Sequence, residues 1–172
     1  DIAFYYIGPN DPLSQAALSE ENFHIHNIVA GKIRRYFSLE NILDIFFKIP
    51  LGILQSFWFL VADRPKLVFS KGGPGSAGVV LCAALLGIPI FFHESDISPG
   101  LSNRLAYRWA KKVFVSFPKT EYFNLAKTIL TGNPIKKELL EGDATIAKEI
   151  FNVSFEKPVL LFLGGSQGAE AL

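Results

Sequence analysis

An α/β fold, a parallel sheet with helices on both faces, is what this sequence predicts. Three observations carry that prediction. Short, wholly apolar runs such as Leu67 to Ser70 and Ile88 to Phe92 alternate with longer helical stretches. Strands covered on both faces read as continuous apolar runs, whereas half-exposed strands alternate. Glycine-rich turns, Gly72-Gly73-Pro74-Gly75-Ser76 and Gly164-Gly165-Ser166-Gln167-Gly168, sit where an apolar run gives way to a helix. The composition, 49% hydrophobic and 19% charged, belongs to a globular chain able to build a core.

The elements follow in order. Ile2 to Ile7 is an apolar run closed by Gly8-Pro9-Asn10-Asp11-Pro12, a strand and then a turn. Leu13 to Glu21 reads as a helix, and His24 to Val29 alternates weakly as a second strand. His24 and His26 are taken as ordinary residues there, since the sequence supplies no partner for them. Gly31-Lys32-Ile33-Arg34-Arg35 is a basic loop, and Ser38 is placed to cap a long apolar helix that runs to Ala62 with Pro50 as a kink or break. Leu67 to Ser70 is a buried strand; Ala77 to Leu86 is an apolar helix closed by Gly87; Ile88 to Phe92 is the next strand. Leu101 to Ala110 is a helix, Val113 to Phe117 a strand, Glu121 to Ala126 a short helix and Thr128 to Thr131 a strand. Gly132-Asn133-Pro134 turns the chain into a helical stretch, Lys136 to Asn152, broken near Gly142. Ser154 to Pro158 reads as a linker before a last strand, Lys157 to Leu163.

A net charge of +1 argues against a nucleic-acid partner, which would ask for a clear basic excess. The single cysteine, Cys82, excludes an internal disulfide and a cysteine-built zinc site, and its apolar surroundings mark it as a core residue. There is no methionine, the first residues already read as a strand, and only four residues follow the last glycine-rich turn. The expectation is a chain cut at both ends.

The stretch Ile45 to Ala62 is apolar nearly all round. A bilayer span needs about 20 apolar residues, and Lys48, Pro50, Gln55 and Ser56 interrupt this one. Two readings fit: a core helix packed on the sheet, or a helix whose outer face meets a membrane surface. Lys32, Arg34 and Arg35 precede it, and Arg64, Lys66 and Lys71 follow. These bases, with Phe46, Phe47, Phe57, Trp58 and Phe59, favour the interfacial reading with the inner face still packed.

In open parallel sheets ligands bind beyond the carboxyl ends of the strands. Four turns lie at such ends. Lys71 to Ser76 and Gly164 to Ala169 place glycines before a helix, where free amides suit an anion. Gly164 to Ala169 has neither the dinucleotide glycine spacing nor a Walker lysine. His93-Glu94-Ser95-Asp96 follows an apolar strand and offers groups for proton transfer or sugar binding, although Ser98 and Pro99 also suit a plain helix start. Thr131 to Lys136 is a Gly-Asn-Pro turn that alone says little.

Together, in this order, the four turns resemble the MurG family, the enzymes of peptidoglycan synthesis that move N-acetylglucosamine from UDP-N-acetylglucosamine to undecaprenyl-diphospho-muramoyl-pentapeptide. The family pattern is Gly-Gly-aromatic-x-Ser, His-Glu-x-Asn, Gly-Asn-Pro-x-Arg and Gly-Gly-Ser-Gln-Gly-Ala. The chain has Gly72 to Ser76, His93 to Asp96, Gly132 to Lys136 and Gly164 to Ala169, and Pro99-Gly100-Leu101-Ser102-Asn103 matches a further Gly-Leu-x-Asn segment. The resemblance covers nearly the whole chain. It implies a GT-B-type, Rossmann-like fold of two domains about a cleft. Residues 1–155 would be the membrane-side acceptor domain, without its opening strand and His-containing loop, and 156–172 would begin the donor domain.

By the same resemblance, Asp96, Lys136, Gly165, Ser166 and Gln167 would bind the donor. Gly72, Gly73, Ser76, Asn103 and Asn133 would line the acceptor side of the cleft, with His93 and Glu94 as the catalytic candidates. Pro74 stands in the place of the family's aromatic, Asp96 in that of its Asn and Lys136 in that of its Arg; the last keeps the charge without the bidentate fork. The implied reaction is inverting: an acceptor hydroxyl attacks the anomeric carbon and UDP leaves, stabilised by amides and helix ends and not by a metal or other cofactor. The implied partners are the nucleotide sugar, the lipid-linked muramoyl-peptide and an anionic membrane, at the cytoplasmic face of the bacterial cell membrane. The competing expectations are a UDP-sugar epimerase of related fold and a non-catalytic membrane-anchoring subunit of a split glycosyltransferase.

Overall fold

The computed structural model describes residues 2–31, 39–152 and 158–161. The chain divides into two compact units, Asp1–Asn133 and Pro134–Leu172. The boundary read near residue 155 falls within the second.

Among its described residues the first unit holds six strands. β1 (Tyr5–Gly8) pairs in parallel with β2 (His24–Asn27), and α1 (Pro12–Ser19) crosses between them. Asp11 caps α1 by accepting from Ser14 N at 2.9 Å, with Pro12 in the first turn, where its missing N–H costs nothing. β3 (Val68–Ser70), β4 (Ile90–Glu94), β5 (Ala110–Val115) and β6 (Thr128–Leu130) form a four-stranded parallel sheet in sequential order. α4 (Ser76–Leu85) and α5 (Leu101–Ala106) supply two of its crossovers. The expected α/β architecture is therefore present. The core gathers Val80, Ala83, Ile90, Phe92, Val113 and Leu60, with Phe123 set edge-on to Phe92 at 5.5 Å. Cys82 lies in this core, where burial pushes its thiol up.

Several boundaries differ from those the sequence suggests. β4 continues through His93 and Glu94, so both stand on the strand and not beyond it. α5 stops at Ala106 and tightens into a 3₁₀ turn, Tyr107–Trp109, before β5 begins at Ala110. Glu121 to Ala126 is no helix. Asn124 Oδ1 accepts from Ala126 N at 2.8 Å, Asn124 N donates to Tyr107 Oη at 2.8 Å, and Tyr122 adopts a left-handed φ of 69°. Local side-chain bonding of this kind competes with helix formation.

In the second unit, Lys136 to Asn152 resolves into a 3₁₀ turn, Lys137–Leu140, and α6 (Ala144–Phe151). Asp143 caps α6 through Thr145 N at 2.7 Å, and that bond holds its carboxyl below the usual carboxylate range. Residues 158–161 are not a strand. Ser38, the basic residues Lys32, Arg34 and Arg35, the linker Ser154 to Lys157, and the turn from Gly164 onward lie outside the described residues.

The long apolar helix is built in three parts: α2 (Leu39–Leu43), a π-helical turn Asp44–Lys48, and α3 (Ile49–Asp63). Pro50 stands in the first turn of α3, so it breaks no interior helical bond; the irregularity falls in the wider turn just before it. The residues that interrupt its apolar run have inward duties. Lys48 Nζ pairs with buried Asp44 at 2.6 Å, Gln55 Oε1 accepts Val29 N at 2.7 Å, and Ser56 Oγ donates to Gly52 O at 2.7 Å. Gly52, Ser56 and Leu60, at four-residue spacing, form the buried stripe. Opposite them Phe46, Phe47, Leu54, Phe57 and Trp58 are exposed, Trp58 to 71%. Phe59 is a correction to the membrane-facing set. Its ring stacks on His26 at 4.1 Å, inside the unit. His26 has a partner too: its Nε2 lies 2.8 Å from Asp63 Oδ2 at the end of α3.

A Cβ on Gly52 would run into the Val29 carbonyl oxygen, which is backbone and not the end of a flexible side chain. Gly52→Ala is therefore expected to destabilise the chain by about 2 kcal/mol or more through overpacking. The denaturant midpoint, at unchanged slope, measures it.

Candidate functional site

The carboxyl ends of β3, β4 and β6 and the segment after β2 converge on one side of the first unit. Ser70 closes β3, and the chain turns through Gly72 and Gly73, at φ of 83 and 92°, into Gly75 at 84°. Such angles favour glycine. Gly75 also backs onto Ile28 and Ala30, where a Cβ would come within 3.3 Å of each, so the turn lies against the segment after β2. Ser76 Oγ donates to Gly73 O at 2.8 Å and Ser102 Oγ reaches the same carbonyl at 3.3 Å, which pins the turn from both sides.

A cleft of about 370 Å³ opens here, within the range of small-molecule sites. Lys71, Gly72, Gly73, Asp96, Ser102 and Asn103 belong to its lining. Val29, Ile49, Ile53, Leu101 and Leu105 line it as well, so α3 supplies part of its wall.

Glu94, 4% exposed, organises the polar part of the lining. Its Oε1 accepts Asp96 N at 3.0 Å; its Oε2 accepts Asn103 Nδ2 at 2.9 Å and Gly100 N at 3.3 Å. A buried carboxylate is tolerated when N–H donors surround it, and these three tie the 95–100 loop and α5 to the end of β4. Asn103, itself 4% exposed, lies under Gly72: a Cβ there would be 3.0 Å from Asn103 Oδ1. Asn103 Oδ1 is buried with no hydrogen-bond partner among the described residues.

His93, the neighbour of Glu94 and equally buried, is engaged at both ring nitrogens. Nδ1 is 3.0 Å from Lys71 Nζ and Nε2 is 2.9 Å from Gly132 O. Lys71 Nζ also donates to Ser95 Oγ at 3.1 Å. The Gly132 turn is held in place in its own right, since Thr131 N and Gly132 N donate to Val115 O at 3.0 and 3.3 Å.

The structure thus brings Gly72, Gly73, Glu94, Asp96 and Asn103 to one cleft, with His93 in contact with Lys71 of its lining. Ser76 spends its hydroxyl on the turn and does not line the cleft, nor does exposed Asn133. Lys136 belongs to the second unit, and Gly165, Ser166 and Gln167 lie outside the described residues. Sequence reasoning set Lys71 at the head of the first turn and among the bases flanking the long helix, but gave its side chain no role in the site. The available signal was its position, the last residue before a glycine turn at a strand end. The apolar wall from α3 had no signal in any motif.

Residues 1–115 match the family model described as the glycosyltransferase family 28 N-terminal domain. The chain is 41% identical over 166 residues to the UDP-N-acetylglucosamine–N-acetylmuramyl-(pentapeptide) pyrophosphoryl-undecaprenol N-acetylglucosamine transferase of Clostridium kluyveri, covering 96% of this chain and 47% of the relative. The enzyme of the same name from Clostridium tetani is 40% identical over 168 residues, with 97% and 47% covered. The chain therefore spans about half the length of the curated relatives it matches. Among solved structures, Acinetobacter baumannii MurG superposes with a TM-score of 0.59 at 25% identity, over 78% of this chain and 38% of that one. UDP-GlcNAc 2-epimerase from Methanocaldococcus jannaschii, at a TM-score of 0.50 and 15% identity over 77% and 46%, shares the fold alone.

Proposed function

The chain belongs to glycosyltransferase family 28, and from that premise we propose that this protein transfers N-acetylglucosamine from UDP-N-acetylglucosamine to a lipid-linked muramoyl-pentapeptide, with inversion at the anomeric carbon. The observation that carries the reading is the make-up of the cleft. Its lining combines polar groups from strand-end turns with Ile49 and Ile53 of α3, and α3 turns an apolar face outward. A substrate with a sugar-diphosphate head and a polyprenyl tail asks for that combination. The names of the relatives supply the donor and acceptor for this proposal.

In the proposed reaction the acceptor hydroxyl attacks the anomeric carbon and UDP departs. Backbone amides and helix ends stabilise the developing diphosphate charge, and no cofactor enters. Asp96 presents a carboxylate to the cleft where an amide would be neutral, so this wall adds negative charge that a diphosphate must share. The epimerase reading has only the shared fold behind it.

The second part of the proposal is peripheral attachment to an anionic membrane at the cytoplasmic face. Asn41–Asp63, 23 residues with an 18-residue stretch of mean hydropathy 1.7, is long and apolar enough to cross a bilayer, but Gly52, Ser56 and Leu60 are committed to the unit's interior. A helix buried on one stripe and apolar on the other suits a surface. Arg64 and Lys66, exposed just past α3, add attraction on the order of 1 kcal/mol each.

Radiolabelled donor and a lipid-linked acceptor test the reaction in the full-length protein. Transfer is expected, and it is expected to persist in EDTA; no transfer to that acceptor contradicts the function, and loss on chelation restored by magnesium contradicts the metal-free step. Flotation with anionic vesicles tests attachment. Replacing Phe46, Phe47 and Trp58 by Ser is expected to lower the bound fraction at least about tenfold, given the apolar area of each ring. Equal flotation of the folded triple variant contradicts the surface assigned to α3.

A further inference from the structure

Lys71 ends the approach to the glycine turn, and among the described residues it is the only cation lining the cleft. Its ammonium has three hydrogens and no acceptor capacity. Two are directed at His93 Nδ1, 3.0 Å away, and Ser95 Oγ, 3.1 Å away. Because an ammonium only donates, His93 Nδ1 must be the unprotonated ring nitrogen. Nε2 then carries the hydrogen, and it faces a group that only accepts, the Gly132 carbonyl at 2.9 Å. Both contacts select the same neutral tautomer. An imidazolium would turn an N–H on the ammonium.

The surroundings give that ammonium a purpose. Glu94 and Asp96 both line the cleft. Without Lys71 a diphosphate placed there would meet two carboxylates and no opposing charge. Beneath the same turn, buried Asn103 Oδ1 lacks a partner among the described residues, while Nδ2 is committed to Glu94. The cleft lining thus holds both an oriented cation and an unused acceptor.

We propose that His93 is a positioning residue, held neutral as the Nε2–H tautomer, that presents the Lys71 ammonium to the diphosphate of a ligand in this cleft. With both ring nitrogens engaged, His93 is not the general base. The proposal rests on the glycosyl-transfer reading for the ligand class; the lipid-linked acceptor and the nucleotide sugar share the diphosphate, and the test separates them.

In the full-length protein, binding of farnesyl diphosphate and of UDP is measured for the wild type, Lys71→Met, His93→Asn and His93→Gln. Asn carries an acceptor near the place of Nδ1, whereas Gln preserves the reach of Nε2 toward Gly132. Lys71→Met is expected to weaken at least one ligand about tenfold or more, the usual effect of losing a hydrogen bond to a charged group. His93→Asn should stay within about threefold of the wild type, and His93→Gln should fall with Lys71→Met. A loss confined to farnesyl diphosphate assigns the cation to the lipid substrate, and one confined to UDP assigns it to the donor. Nitrogen NMR of labelled histidine in the wild type should find His93 neutral with its hydrogen on Nε2. Unchanged binding by Lys71→Met, rescue by Gln and not Asn, or an imidazolium or Nδ1–H form at neutral pH each overturns the proposal. If wild-type transfer persists in those cases, the glycosyltransferase reading stands without it.

Discussion

A carboxylate without water around it has to be surrounded by hydrogen-bond donors, and the cleft is arranged about that requirement at Glu94. Taking the charge out of solvent costs several kcal/mol, and Asp96 N, Gly100 N and Asn103 Nδ2 offset it. Each of these bonds does a second job. The two backbone amides fold the 95–100 loop back over the end of β4. The Asn103 amide fixes α5, and its oxygen then lies under Gly72, where a φ of 83° favours glycine and a Cβ would press within 3.0 Å of that oxygen. On the same strand His93 ties the turns after β3 and β6 to β4 through Lys71 and Gly132. Two adjacent residues of one central strand therefore hold three loops in register.

The same economy of small contacts shapes α3. Its buried stripe, Gly52, Ser56 and Leu60, is narrow because the segment after β2 passes close by, with Gln55 fastening Val29 N. A narrow inner stripe leaves most of the helix circumference outside, and there the residues are Leu54, Phe57 and Trp58, joined by Phe46 and Phe47 of the π-helical turn just before. One helix thus supplies a wall of the cleft and an apolar outer surface, which links the site to the membrane reading through a single element.

Much of this was legible beforehand. The parallel sheet followed from apolar runs alternating with helices, and the ordered turns identified the strand ends that matter. What was not legible depends on contacts remote in sequence. Glu94 read as a candidate for proton transfer because a strand end next to a histidine looks the same whether its carboxylate faces solvent or three N–H donors. Lys71 read as one of several basic residues because nothing local reveals that His93, 22 positions on, will accept from it. His26 seemed unpartnered for the same reason; Asp63 reaches it only once α3 has packed. The helix expected at Glu121 to Ala126 failed on a local competition, in which Asn124 bonds its own backbone neighbourhood. Phe59 differed from Phe57 and Trp58 only by its angular place on the helix, and the apolar run is too uniform to mark that angle.

The central claim is that Glu94 and Asn103 act as one unit holding the cleft together. A double-mutant cycle of Glu94→Gln and Asn103→Ala, followed by denaturant unfolding of the full-length protein, measures it most directly. A coupling of about 1.5–3 kcal/mol is predicted, the range for a hydrogen bond to a buried charge. Additive effects of the two substitutions would contradict the account.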